Sequence, residues 1–170
     1  MGVYGERQRG LGRNGECQMI QTDKTVKQLL ADLLLGDATR LWEGSCGVLS
    51  ISQDREKVKE LTPFFDEILK KSHGVALGGL LASNQRFVDQ ALAVIRFHKE
   101  GKGCACCLFG ELFNPRDEEQ KGNIRITEVH PVEKTNYVDY YTAVCQRCQK
   151  TYQIYEREYH FFWWEWVAMD

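Results

Sequence analysis

The chain has 170 residues, 43% of them hydrophobic and 27% charged, with a formal net charge of −2. That balance suits one globular domain, or two small ones, able to bury a core without disulfides. It contains no apolar run of about 18 residues, which excludes a helical membrane span. Its first twenty residues place Arg7, Arg9 and Arg13 among glycines, with no apolar stretch of the kind a signal peptide needs, so a cytoplasmic chain is expected.

Residues 1–22 are rich in Gly, Arg, Gln and Asn, lack periodicity, and read as an irregular leader in which Cys17 is a bystander. Apolar residues then recur at helical spacing. Val26, Leu29, Leu30, Leu33 and Leu34 predict a helix over about 23–35, closed by Gly36. Asp37 is placed to cap a second helix over about 38–50, with Leu41, Trp42, Ser45, Val48 and Leu49 on one side. Ser52 is expected to cap a third segment carrying Val58 and Leu61. Pro63 suits a helical first turn, so Thr62 is read as the next cap, with Phe64, Phe65, Ile68 and Leu69 as the buried face. The small apolar run Val75–Ala82 predicts a short buried helix. A last helix, capped by Ser83 or Asn84, runs to about Lys99 with Phe87, Ala91, Leu92, Val94, Ile95 and His98 inward.

Beyond Cys107 the period changes from helical to alternating. Ile124 and Ile126, then Val138, Tyr140, Thr142 and Val144, then Tyr152 and Ile154, then Tyr159 to Trp166 all read as antiparallel strands. Asn114–Lys121 reads as a solvated loop. The fold class predicted is α+β: a helical region over 23–103 packed on a small antiparallel sheet over 104–170, the two forming one compact unit pinned by four cysteines.

Those cysteines carry the most specific chemistry. Cys104 and Cys107 are two residues apart, as are Cys145 and Cys148, with thirty-seven residues between the pairs. Two such turns facing each other place four thiolates on the corners of a tetrahedron, the ligand set of a closed structural zinc site. An odd cysteine count and the paired spacing favour reduced thiols and a metal over a disulfide framework. Cys107 is the preferred fourth ligand. Cys106 is the alternative, since in an extended strand it shares a face with Cys104. His98, His130 and His160 are reserve ligands.

Cys145-Gln146-Arg147-Cys148-Gln149-Lys150-Thr151-Tyr152 resembles the knuckle and returning strand of a zinc ribbon, a resemblance that extends over roughly residues 104–160. The glycine usual after the second cysteine is replaced by Gln149. The resemblance implies a structural class and a structural zinc, and no particular activity.

Other chemistry is sparse. His98-Lys99-Glu100 matches the His-x-Glu of zinc deaminases, but neither cysteine pair follows a proline, and four cysteines leave no open position for water. Gly44-Ser45-Cys46-Gly47 offers a nucleophile inside a helical pattern rather than at a strand-to-helix elbow, so a small buried Cys46 is the simpler reading. Residues 104–170 carry 7 Lys/Arg against 11 Asp/Glu, a balance that opposes a nucleic-acid interface. They also carry thirteen of the nineteen aromatics. Within Tyr159–Trp166, alternation puts Phe162, Trp164 and Trp166 on one face and Phe161 and Trp163 on the other, so most of Phe161–Trp166 is expected to be buried. His160, Phe162, Trp163, Trp164, Glu165 and Trp166 are the interface candidates. The expected function is a protein-binding accessory or inhibitor module of the small bacterial type, partnered by another protein or a second copy, with no catalytic residues. A nucleic-acid-binding ribbon and an enzyme with structural zinc are the alternatives.

Overall fold

The computed structural model describes residues 24–79, 83–135, 137–158 and 162–169, with Phe162 by its backbone alone. The expected leader with Cys17, together with Tyr159, His160 and Phe161, lies outside these. The chain is α+β, as its change of period predicts.

Helix α1 (Val26–Leu34) starts at Thr25, whose hydroxyl accepts from the Gln28 N–H while the Gln28 side chain accepts from the Thr25 N–H, a reciprocal cap. Leu29 and Leu33 are its buried leucines. Helix α2 (Ala38–Ser50) is capped by Asp37 as expected. The two helices cross closely because Gly44 and Gly47 lack side chains: a Cβ on Gly47 would overlap the Leu29 side chain, and one on Gly44 would sit 3.1 Å from Leu33 Cγ. The Gly44–Gly47 stretch is therefore a packing seam. Cys46 within it is 3% exposed and is not among the free thiols.

Two expected caps are corrected. Asp54, not Ser52, caps α3 (Arg55–Lys59). Thr62 begins a 3-10 turn (Thr62–Phe64) that leads into α4 (Phe65–Ser72), and its hydroxyl points back to the Lys59 carbonyl. The tighter turn rotates the helix, so Phe65 and Ile68 are buried while Phe64 and Leu69 are 37% and 40% exposed. Residues 75–79 are not helical, and none of them is buried. Helix α5 (Gln85–Glu100) buries the whole predicted face, Phe87, Ala91, Leu92, Val94, Ile95 and His98, and ends at Gly101 in the left-handed conformation (φ 71°).

The stretch read as a solvated loop holds a helix, α6 (Pro115–Gln120), with Asn114 as cap and proline at the first position. It is polar yet anchored. Glu118 is 1% exposed, takes a hydrogen bond from Asn123 Nδ2 at 2.7 Å and pairs with Lys121 Nζ at 2.7 Å. That buried carboxylate fixes the turn into the sheet.

The sheet is a four-stranded antiparallel meander: β1 (Ile124–Pro131), β2 (Val138–Cys145), β3 (Thr151–Glu158) and β4 (Phe162–Met169). Register places Ile126 opposite Ala143, Ala143 opposite Tyr152, and Ile154 opposite Trp166. Ile124, Tyr141, Ala143, Cys145, Tyr152 and Ile154 thus share a buried face. Trp164 and Trp166 lie on that side, Trp163 and Glu165 on the other. The tryptophans of β4 are half-buried rather than mostly buried, because the layer beneath this edge is the narrow segment 105–113 and not a helix. Phe109 of that segment packs against Trp166 (centroids 4.5 Å), Phe113 (5.5 Å) and Tyr152 (6.4 Å). Two side-chain bonds tie the same segment to the helices: Gln53 Nε2 to the Ala105 carbonyl at 3.1 Å and Gln90 Nε2 to the Leu108 carbonyl at 2.9 Å. Helices and sheet meet along this seam.

Candidate metal centre

Two elements bring the cysteines together. After α5, Gly103 (φ 77°) turns the chain, Cys104 is extended (φ −100°, ψ 134°), and Ala105–Leu108 forms a 3-10 turn. At the end of β2, Cys145 opens the tight turn to β3. Its sulfur accepts the Arg147 N–H at 3.4 Å, and its carbonyl accepts the Gln149 N–H at 3.0 Å. Gln149 itself has φ 62°, the left-handed conformation that glycine adopts without cost. The knuckle therefore keeps its turn despite the substitution, held in part by Gln149 Nε2 donating to the Gln146 carbonyl at 3.3 Å.

The sulfurs of Cys104, Cys106, Cys145 and Cys148 all lie within 4.8 Å of one another and could hold a metal ion. Cys104 Sγ is 3.7 Å from Cys145 Sγ, and Cys106 Sγ is 3.4 Å from Cys148 Sγ. Zinc–sulfur bonds near 2.3 Å in a tetrahedron require sulfur–sulfur edges of about 3.8 Å, so the four positions fit such an ion with small adjustments.

The fourth sulfur is Cys106, and Cys107, the preferred choice on spacing, lies outside the cluster and is exposed. The cause is local. In a 3-10 turn consecutive side chains diverge by about 120°, and the turn begins one residue after Cys104. Ala105 is fixed inward, so Cys106 points to the knuckle and Cys107 to solvent. The extended-strand route foreseen for the Cys104–Cys106 pair is only half followed, since Cys104 alone is extended.

The surroundings treat the thiols unequally. Burial pushes the Cys106 and Cys104 thiols above the usual cysteine value. The Lys150 backbone N–H brings Cys148 down to about 7. Tyr152 Oη lies 3.2 Å from Cys106 Sγ.

None of the reserve histidines that can be placed joins the cluster. His98 is buried on α5, where its Nε2–H donates to the Ser52 carbonyl at 2.8 Å. His130 pairs with Glu128 at 3.0 Å and stacks on Tyr140 with centroids 4.0 Å apart. His160 is outside the described residues. Among the interface candidates, Trp163, Trp164 and Trp166 are half-buried, Trp166 Nε1 donates to the Phe113 carbonyl at 3.0 Å, and Glu165 is exposed and paired with Arg157 at 3.0 Å.

Fold and site together define an α+β protein with a four-cysteine cluster beside its sheet, able to bind a metal. Comparison with protein-family models, curated proteins and solved structures finds no match. No helix among the described residues is long and apolar enough to cross a membrane.

Proposed function

We propose that this chain is a non-enzymatic protein-binding module whose helical layer and sheet are clamped by one structural zinc ion. The observation that supports it best is the composition of the cluster. Among the described residues it holds four sulfurs and no histidine or carboxylate. Four thiolates fill a tetrahedral ion and leave no position for water or substrate, which is how structural zinc sites differ from catalytic ones. The ion joins the end of α5 to the β2–β3 turn, so its task is to hold the seam.

The partner surface we assign is the side of β4 turned away from the helices. Trp163 is half-buried there, and Val167 at 39% and Met169 at 45% exposure lie further along the same side, past the exposed Glu165. These are large apolar groups in one row, the kind that anchors a protein interface. The second half is net negative, which disfavours a phosphate backbone as partner.

Elemental analysis of the purified chain is expected to give one zinc per chain. Affinity capture from the native host with the wild-type chain is expected to retain a protein that the Trp163→Ala variant, still folded and zinc-loaded, releases. Less than about 0.2 equivalents of zinc would sink the clamp. Tight, salt-sensitive binding to mixed-sequence RNA or DNA would replace the protein partner by nucleic acid.

A further inference from the structure

The four-sulfur cluster is not packed against inert surroundings. Tyr152, one residue into β3, is 5% exposed. Its backbone sits opposite Ala143 on one side and Ala168 on the other, so the ring is fixed in the middle of the sheet's buried face. It is held edge-on against Phe109 and Trp166. The only polar atom of this side chain, Oη, reaches both the Cys106 sulfur and the Cys106 carbonyl at 3.2 Å. That carbonyl already accepts the Phe109 N–H at 3.2 Å. The sulfur's other close neighbour is Cys148 Sγ at 3.4 Å, a fellow member of the cluster, so among the described residues Tyr152 is the donor it meets from outside the four cysteines.

We infer that Tyr152 is a positioning residue for the metal: its hydroxyl donates to the Cys106 thiolate, fixes that sulfur's direction, and couples metal occupancy to the aromatic core of β3 and β4. The inference rests on the zinc-clamp reading above. Its physical basis is general. A thiolate bound to zinc keeps lone pairs that accept hydrogen bonds, and donors around a metal's ligands orient them and set how firmly they hold. A phenol held by two aromatic neighbours donates from a fixed point, which a water molecule cannot do.

The test is Tyr152→Phe in the full chain, which keeps the ring and removes only the hydroxyl. Zinc release to a chromogenic chelator is expected to be 10- to 100-fold faster than from wild type, the range typical of lost outer-shell partners. Zinc stoichiometry should stay at one. With Co²⁺ in place of zinc, the thiolate-to-cobalt charge-transfer band should shift, a signature that a purely packing role would not move. Tyr141→Phe is the control. Its hydroxyl lies on the same buried face but donates to Glu156 Oε2 at 3.2 Å, away from the cluster, so release and band should match wild type. Equal release and an unmoved band in Tyr152→Phe would overturn the inference while leaving the clamp standing. A wild-type chain that binds neither zinc nor Co²⁺ would overturn both. Should Tyr152→Phe fail to fold, the hydroxyl proton can be read in the unmutated zinc-loaded chain by NMR. Slow exchange together with a coupling from that proton to ¹¹³Cd in the cadmium-loaded chain supports the bond to sulfur, and a proton without that coupling, held by the Cys106 carbonyl or open to water, overturns it.

Discussion

Replacing Cys106 or Cys107 by serine, one at a time, separates the two ways of closing the metal site. Cys106 Sγ lies 3.4 Å from Cys148 Sγ, close to the edge of about 3.8 Å that a zinc tetrahedron requires. Structural zinc contributes about 10–16 kcal/mol of apparent binding free energy to a small domain at neutral pH, about 3 kcal/mol for each of four ligands. Cys106→Ser should therefore weaken zinc binding by about 100-fold or more, at about 1.4 kcal/mol per tenfold. Cys107 is exposed and outside the cluster, and Cys107→Ser should fall within about 0.5 kcal/mol of wild type in stability. Chelator competition monitored by elemental analysis reads the affinities. Alkylation gives an independent check: in the zinc-loaded chain Cys107 should react with iodoacetamide while the four clustered sulfurs stay protected. If Cys107→Ser loses zinc and Cys106→Ser keeps it, the argument from the 3-10 turn is wrong and spacing alone decides the ligand.

Three further outcomes follow from the structure. Gln149→Gly should raise the melting temperature of the zinc-loaded chain, by a gain of about 0.5–1 kcal/mol, because glycine relieves the left-handed backbone at φ 62°. A loss would mean that the Gln149–Gln146 bond outweighs that strain. Gly47→Ala should destabilise the chain by about 1–3 kcal/mol in urea unfolding, since the added methyl overlaps Leu29 between α1 and α2. An unchanged midpoint would show that Leu29 yields freely. A metal ion binds the thiolate form and so competes with protons, which favours ligation above the ordinary cysteine value of about 8.5. The stability due to zinc is then present above that value and lost as the pH falls. Acid titration should release zinc, and hydrogen exchange should rise in β2 and β3 before α2 and α5. Zinc content that is independent of pH would contradict thiolate ligation.

Much of the helical layer was legible because its apolar residues repeat at one period and its caps are short polar residues in the right places. Leu29 and Leu33, the Asp37 cap and the whole inner face of α5 are read directly from spacing. The strands of the meander were legible from their alternation, and the pairing of Cys145 with Cys148 from their turn. Three of the departures from that pattern show why it fails where it does. Helix α6 carries only one apolar residue, Pro115, and is anchored by the buried Glu118, so no apolar stripe marks it, although its Asn-Pro start was a usable signal. Phe64 and Leu69 turned outward because a 3-10 turn precedes α4 and shifts the phase of the stripe. Spacing alone prefers Cys107 to Cys106, because the interval between cysteines says nothing about where a turn begins. The packing of Ala105 and the donor on Tyr152 come from residues far along the chain.

The same reasoning explains what a metal held by the four cysteines would do for the fold. The sheet's buried face is narrow, and the segment beneath it, 105–113, has little regular structure of its own. Phe109 and Phe113 supply the apolar contacts, and Gln53 and Gln90 supply two hydrogen bonds to the helices. Each of those bonds contributes only about 1 kcal/mol net, against a cost of about 1–2 kcal/mol to order each backbone residue. Tyr152 Oη to the Cys106 carbonyl and Trp166 Nε1 to the Phe113 carbonyl tie the segment to the sheet, so it hangs on scattered single bonds and a few apolar side chains. In the proposed clamp, the sulfurs of Cys104 just before the connector, of Cys106 within it and of Cys145 and Cys148 at the β2–β3 turn would change the balance, because a structural zinc ion contributes more than the two glutamine bonds together. The cluster also lies beside Tyr152, so the tightening reaches the aromatic rows of β3 and β4. On this reading the metal sets the position of the strand whose outer side presents Trp163, Val167 and Met169, and the binding surface depends on the clamp behind it.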